Sequence, residues 1–416
     1  MKIAVIGAGT GGLVATWLLD KRHDVTLFER DSVIGGNIRT LGGNVACPLL
    51  PSGVRLDAGV VEFDRRNFRR FHALMRVLGV EVEHVPITTG LFLADGSGWH
   101  APDRLEHEFP GRLERLVQKL RHAPLLLARR KFLGRIEAAS ARRMRESKID
   151  DFLDDDVFGK WIRMLLMYAY SIPYDRAGEI GAVLAIPMLD RFLVASDWTR
   201  VVGGVWTYVE RILANLRASV IAAAEIEAVA RLDDGVTVAL ADGGQMRFDA
   251  VVLAVTPDQV LPLLADATAD ERRWFGAWRA NRARTVVHCD TGIYRRRGIR
   301  YYCEFDLFET ASGAHGYNAY LNRLCGIPSD STTHYSLAYN LDDEIDPDRI
   351  IHEQDHVTPL YNVEALAWRE EVLAANGENR VWYAGAWLGD GLQEGAVISA
   401  ERVAVALGGR AIDLAD

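Results

Sequence analysis

The chain has 416 residues, of which 49 % are hydrophobic and 25 % charged, and its formal net charge is −9. That length can bury a large core and fits two or three domains, while the acidic balance argues against nucleic acid as a partner. No apolar run reaches the roughly 18 residues of a membrane span. Met1 opens directly on a strand, so no secretory leader is expected. The four cysteines, Cys47, Cys289, Cys303 and Cys325, show no paired spacing and fit a reducing cytoplasm.

Lys2 to Ile6 reads as a short apolar strand, Gly7-Ala8-Gly9-Thr10-Gly11-Gly12 follows at once, and Leu13 to Leu19 continues with helical character. In such an order Gly7 allows a tight turn, Gly9 lets backbone approach a pyrophosphate and Gly12 lets helix pack on strand. The helix start offers unpaired N–H groups and partial positive charge to the phosphates. A second strand, Asp24 to Phe28, ends at Glu29, with Arg30 beside it, about 20 residues beyond the glycines, where an acid takes ribose hydroxyls. Gly35-Gly36-Asn37-Ile38-Arg39 then resembles the Gly-Gly-x-x-Arg segment of amine-oxidase-like and desaturase-like flavoproteins. The resemblance implies a loop of small residues over the dinucleotide, with Arg39 facing its pyrophosphate. Leu56-Asp57-Ala58-Gly59 resembles the Asp-x-Gly strand that leads those families to the flavin ring, which puts Gly59 near it.

Between Arg104 and Lys148 the local charge is about +8. Leu113, Leu116, Val117, Leu120 and Leu125-Leu126-Leu127 give this stretch an apolar side. A basic amphipathic helix of that kind lies on an anionic membrane surface as a peripheral contact, greets an acidic substrate, or is a solvated face packed on the protein's own core. Further on, a helix is expected from Tyr208 to Leu216, then strands around 221–232 and 236–240, with Asp242-Gly243-Gly244 as a hairpin turn. Alternation marks strands in 285–290, 316–322 and 333–339. His352-Glu353-Gln354-Asp355-His356 satisfies the His-Glu-x-x-His pattern of zinc peptidases, which needs both histidines on one helical face. Thr358-Pro359 follows immediately and disfavours that helix, so no metal site is expected.

At the far end, Arg380 to Gly385 is a strand ending in glycine, Gly389-Asp390-Gly391-Leu392-Gln393-Glu394-Gly395-Ala396 follows, and a helix runs from Val397 to Leu407. With Asp57-Ala58-Gly59, Arg200-Val201-Val202-Gly203-Gly204, Phe248 to Ala254, Asp258-Gln259, Val287 to Thr291, Tyr320-Leu321-Asn322-Arg323-Leu324 and Val381 to Gly391, the chain resembles a bacterial family of predicted NAD/FAD-binding proteins. That family is related to flavin-containing amine oxidases and is often found beside cyclopropane-fatty-acyl synthases.

The resemblance implies an α/β (α+β) two-domain fold: a Rossmann-type FAD domain in three parts, 1–66, 196–262 and 376–416, and a mixed sheet-and-helix substrate domain. The latter has a mainly helical part, 67–195, and a strand-rich part, 263–375. It places Ile226 where backbone holds adenine, and Gly385, Gly391, Glu394, Gly395 and Ala396 around the flavin. The Gly395 and Ala396 N–H groups would stabilise charge on the reduced ring. None of the cysteines lies in the C-terminal flavin segment, so FAD is expected to be non-covalent. The chain departs from the family where Gln393 to Ala396 replace a His-Glu-Asp-Gly run, and where Asp57-Ala58 replaces the usual aspartate followed by Thr-Gly.

Amine oxidases of this fold usually carry a lysine in the second half, and here none follows Lys160. Glu62, Tyr168 and Tyr320 are the catalytic candidates, with Tyr170 and Asn322 beside them. Each has a bland reading: Glu62 as an ion-pair partner of Arg65 or Arg66, the helical tyrosines as core. The leading expectation is an FAD-dependent oxidoreductase moving a hydride between flavin N5 and a carbon of a small hydrophobic, lipid- or polyketide-like substrate. The outcome is desaturation or double-bond isomerisation. The alternatives are oxidation of a C–N bond in an amine or amino acid, and a non-catalytic flavin-binding partner of a lipid-modifying enzyme. Oligomeric state is open.

Overall fold

The computed structural model describes residues 1–194 and 197–413. Its centre is a five-stranded parallel sheet in the order Ser219–Ile221, Asp24–Phe28, Lys2–Ile6, Ala250–Leu253, Val381–Tyr383. Val5 stands opposite Leu27 on one side and Val252 on the other. Strands covered on both faces read as unbroken apolar runs, and Ile3, Val5, Leu27, Val251, Val252 and Leu253 are all buried. The Thr10–Leu19 helix is buried along its whole length. It shares one apolar cluster with Val397, Ala400 and Val403 of the last helix, Gln393–Ala406. The first and last helices of the chain thus lie together on the sheet.

The strand expected around 221–232 is two strands. Ser219–Ile221 joins the parallel sheet, Ala223 turns the chain at φ +53, and Ile226–Leu232 starts an antiparallel meander with Gly235–Leu240 and Gln245–Phe248. The hairpin turn at Asp242-Gly243-Gly244 is present, with Gly243 at φ +87. The expected boundary between 195 and 196 lies outside the described residues.

A seven-stranded mixed sheet forms the second layer, in the order Ile350–Pro359, Ala280–His288, Ser336–Tyr339, His315–Tyr320, Phe305–Glu309, Thr89–Phe92, Gly98–His100. The last two come from the mainly helical region. Thr89–Phe92 pairs in parallel with Phe305–Glu309, and Arg104 fastens this edge from below through a bidentate ion pair of 2.7 Å to Asp306, both side chains fully buried. Arg104 therefore belongs to the interior rather than to the basic surface. The Val157–Tyr170 helix packs across the sheet; Asp156 caps its start by accepting from the Gly159 N–H, and Ser171 ends it at φ +52.

The basic stretch divides. The Ala123–Glu137 helix is anchored by buried Leu125 and Phe132, but the Arg112–Arg121 helix buries none of its side chains, so the own-core reading fails for it. Among the described residues no helix is long and apolar enough to cross a membrane. The His352 to His356 pattern lies in the ten-residue strand Ile350–Pro359. Extended backbone sets its two histidines about 13 Å apart, and His356 is buried against the Thr285 hydroxyl at 3.1 Å.

Candidate active site

The first loop leaves the Lys2–Ile6 strand through Gly7, which adopts φ +101. A Cβ at Gly12 would collide with the Gly7 carbonyl oxygen, so strand and helix meet there with no room for a side chain. The Gly35-Gly36 loop lies on this one: the Gly35 N–H donates to Ala8 O at 3.0 Å, and a Cβ at Gly36 would stand 3.0 Å from the Gly9 Cα. Two glycine turns are stacked at the mouth of a helix, a shape that leaves backbone N–H groups open to phosphate oxygens.

Glu29 closes the loop, its carboxylate accepting from the Ala8 N–H at 2.7 Å and the Asp31 N–H at 3.0 Å. Ala224 donates to the Glu29 carbonyl at 2.8 Å, which brings the segment leading to Ile226 beside the acid. Arg30, by contrast, is exposed and faces Asp31 at 3.7 Å.

Arg39 has the environment of an anion ligand. Its side chain is only 10 % exposed, and its contacts among the described residues are its neighbour's carbonyl, Ile38 O at 3.2 Å, and Asp31 at 3.8 Å. Burial pushes its pKa below the ordinary value, the nearby carboxylates opposing the shift. A guanidinium carries five donors, and most of these remain for a bound phosphate.

The C-terminal turn meets the N-terminal loop directly. Thr10 Oγ1 bonds Gln393 Oε1 at 2.6 Å and the Tyr208 hydroxyl at 2.8 Å, tying the starts of the first and last helices together. Gly385 is bracketed by the Ser399 hydroxyl, which accepts from its N–H and donates to its carbonyl. Two expectations need correction here. The Gly395 N–H donates to Asp390 Oδ1 at 2.9 Å and the Ala396 N–H to Leu392 O at 3.1 Å, so neither amide is free. At the start of the last helix, the Gln393 and Glu394 amides have no partner among the described residues. The Glu394 carboxylate is also engaged: it accepts from the Arg70 and Phe71 N–H groups at 2.9 Å and caps the Arg69–Val77 helix. Its carboxylate is a helix cap, which leaves the Glu394 backbone for the dinucleotide.

From Gly59 the chain leads into the substrate side. Gly59 lies against the Asn37 carbonyl of the second glycine loop and the His356 ring, and Asn37 Nδ2 donates to Val357 O at 2.9 Å. Asp57, two residues earlier, is buried and accepts from Thr40 Oγ1 at 2.5 Å and the Val205 N–H at 3.0 Å. Burial pushes its pKa up to about 6 against those hydrogen bonds. Asp57 thus holds the start of the Trp206–Ala214 helix rather than touching a ligand.

Three residues beyond Gly59, Glu62 meets Tyr168. The tyrosine hydroxyl donates to Glu62 Oε1 at 2.6 Å, joining residues 106 apart in sequence. Burial pushes the Glu62 carboxyl up to about 7, only partly offset by the Tyr168 hydrogen bond. The Tyr168 hydroxyl is itself raised well above its ordinary value by burial and by Glu62. The Tyr168 ring lies 4.2 Å from that of Phe305 and edge-on to Tyr317 at 5.0 Å. Tyr317 stacks on Tyr339. The ion-pair reading of Glu62 fails, because Arg65 pairs with Asp197 and neither Arg65 nor Arg66 is paired with Glu62, which is only 9 % exposed, among the described residues.

The same helix end reaches the C-terminal turn. The Tyr170 hydroxyl donates to Asp390 O at 3.1 Å, and the Tyr170 and Tyr361 rings, 5.2 Å apart, lie over Gly391. The two glycine loops, the Gly59–Glu62 segment, the aromatic helix end and the 385–396 turn therefore converge.

Tyr320 is not brought to this place. Its hydroxyl bonds His334 Nδ1 at 2.8 Å under the Arg323 guanidinium, and it shares the parity of Asn318, which bonds His288 and Tyr294 on the opposite face of the sheet. Asn322 closes a local turn through Thr333 O and the Tyr335 N–H. The residue missed is Tyr317. Its strand was legible by alternation, but which face meets the helix was not.

A dinucleotide cradle joined to a buried acid and an aromatic wall defines a two-layer flavoprotein oxidoreductase. The family model for flavin containing amine oxidoreductase matches residues 11–284, and the chain belongs to that family. Solved structures agree over the whole length. Putrescine oxidase bound to putrescine superimposes with a TM-score of 0.67 at 15 % identity, covering 99 % of this chain and 100 % of that one. The CLA-producing fatty acid isomerase from P. acnes gives 0.68 at 18 %, covering 97 % and 98 %. Cyclohexylamine oxidase from Brevibacterium oxydans IH-35A gives 0.68 at 15 %, covering 98 % of each chain. No match was found among curated protein sequences.

The chain is thus a flavin-dependent enzyme and its cofactor is FAD. The residues present fit that group, since the stacked glycine turns leave side-chain-free space at a helix start and Arg39 holds unused donors there.

Proposed function

We propose that this enzyme oxidises or isomerises a hydrophobic, lipid- or polyketide-like substrate at a carbon held beside Glu62 and Tyr168, with FAD bound non-covalently. The observation carrying this reading is the Glu62–Tyr168 pair: a buried acid bonded at 2.6 Å to a phenol and walled by Phe305 and Tyr317. When bound, FAD supplies acceptance and return of a hydride at N5, and the protein supplies orientation and electrostatics.

In this reading Gly7, Gly9, Gly12, Gly35, Gly36, Glu29 and Arg39 hold the dinucleotide, and the backbone near Ile226 borders its adenosine end. The Gln393 and Glu394 amides at the start of the last helix would offer donors to its flavin end. Glu62, its carboxyl raised to about 7, is ionised in part at neutral pH and takes the proton from the substrate carbon next to the one that gives up a hydride, the electrons of that C–H bond forming the new double bond. Tyr168 fixes the rotamer of that carboxyl. The aromatic rings exclude water, which keeps the acid's pKa high. An apolar chain fits such walls, whereas a charged amine would need a counter-charge there.

The amine reading stays as second, because an ionised Glu62 would serve as that counter-charge. The test is anaerobic mixing of holoenzyme with unsaturated long-chain acyl compounds and, separately, with primary amines. Flavin bleaching or double-bond migration with the acyl compounds, without ammonia or aldehyde release, is the expected outcome. Bleaching by amines alone, with release of ammonia or aldehyde, would overturn the proposal in favour of C–N oxidation.

A further inference from the structure

We propose that the Arg112–Arg121 and Ala123–Glu137 helices form a docking surface for an anionic lipid bilayer. Leu113, Leu116, Val117 and Leu120 recur at the spacing of one helical face, yet they are between 41 and 73 % exposed and the helix that carries them buries nothing. Leu126 and Leu127, at the start of the next helix, are 60 and 69 % exposed and extend the patch. An apolar helical face belongs against something, and among the described residues it has no partner.

Charge says what covers it. Each of the two helices carries four cations against one acid, in a chain whose overall charge is −9. Arg112, Lys119, Arg121 and Arg130 are exposed and have no ion-pair partner among the described residues. Apolar side chains flanked by unpaired cations are the pattern of a helix lying in the interface of an anionic membrane. A two-fold contact with a second copy would bury the same leucines but set one row of cations against its own image. A lipid headgroup layer satisfies both features at once.

The surface is also firmly attached. Phe132 packs on Phe158 at 5.4 Å, and Phe158 on Trp161 at 5.9 Å, so the second helix is fixed to the Val157–Tyr170 helix. That helix carries Tyr168 about 15 Å further along its axis. The inference does not need the substrate reading, since docking is measured without turnover.

The test is flotation of the holoenzyme with vesicles of phosphatidylcholine alone and of phosphatidylcholine mixed with phosphatidylglycerol. Binding is expected to the mixed vesicles, little to the neutral ones, and release as salt is raised. Leu116→Glu with Leu120→Glu should weaken binding at least about tenfold, with flavin content and melting temperature unchanged, because both side chains lie in solvent. Arg112→Gln and Lys119→Gln should each weaken it about fivefold. The proposal is overturned if the holoenzyme ignores the anionic vesicles at low salt, or if the double variant still binds them. A concentration-dependent dimer that the double variant abolishes, with no vesicle binding, would assign the face to a second copy instead.

Discussion

The dinucleotide cradle and the Glu62–Tyr168 cluster sit side by side but are built by opposite rules. The cradle is local and backbone-made: two short glycine turns stack because nothing projects from either. The Glu62–Tyr168 cluster is long-range and side-chain-made, its central hydrogen bond joining Glu62 to a helix residue 106 positions away. A backbone site tolerates almost no substitution but asks little of side-chain chemistry. A side-chain site keeps its shape through many substitutions, while its protonation depends on each neighbour. The two should therefore break in different ways.

The largest effect is expected at Gly12. Gly12→Ala forces a Cβ into the Gly7 carbonyl, and overpacking at a site that cannot move costs about 3 kcal/mol. The protein should purify without flavin and melt at lower temperature, read by visible absorbance and thermal denaturation. Gly53→Ala, at φ +83 but facing open space, should cost only about 1–2 kcal/mol and leave flavin content unchanged.

Next comes Glu62, where the sign depends on pH. Its carboxyl has an ordinary value of 4.5 and is raised to about 7 by burial. Between those two values the unfolded chain releases the proton while the folded one retains it, so stability falls with rising pH through that window and the cost is fully present above about 7. It amounts to about 3 kcal/mol. Glu62→Gln should therefore raise stability at alkaline pH and change little below about 4.5, followed by denaturant melts across pH. The same variant should retain FAD but slow its reduction by substrate. Unaltered anaerobic reduction kinetics would remove Glu62 from the chemistry.

Arg39 separates holo from apo behaviour. Arg39→Ala loses a charge-assisted phosphate contact worth about 1.5–3 kcal/mol, so flavin should leak on dialysis. The flavin-free protein should be no less stable than the parent, because the buried guanidinium has few partners of its own. A variant keeping its full flavin complement through dialysis would refute the pyrophosphate role.

This contrast also governs what the sequence reveals. The strands Lys2–Ile6 and Asp24–Phe28 and the glycines between them were legible because steric need is written in consecutive residues. Glu62 and Tyr168 were legible one at a time, as a polar residue past a glycine strand and a tyrosine in an apolar helix, but not as a pair. Alternation over 316–322 gives two faces without saying which one meets the helix, so it does not separate Tyr320 from Tyr317. The Glu394 cap depends on amides 323 and 324 positions away, and no local pattern marks it. Likewise, the periodicity of the Arg112–Arg121 helix foretold an apolar face but not whether that face would be buried.

The smallest expected effect tests whether Glu62 and Tyr168 act as a unit. The Tyr168 hydrogen bond is among the influences that lower the Glu62 pKa against burial. Tyr168→Phe keeps the ring between Phe305 and Tyr317 and deletes only the donor. Packing should survive, and the net loss of stability should be about 1 kcal/mol. The informative readout is the pH profile of flavin reduction, in which the step belonging to Glu62, near 7 in the parent, should move upward in the variant. A purely packing role for Tyr168 predicts the same small stability change with the step unmoved. Only an upward shift shows that the phenol tunes the acid, because desolvation then acts on Glu62 with less opposition.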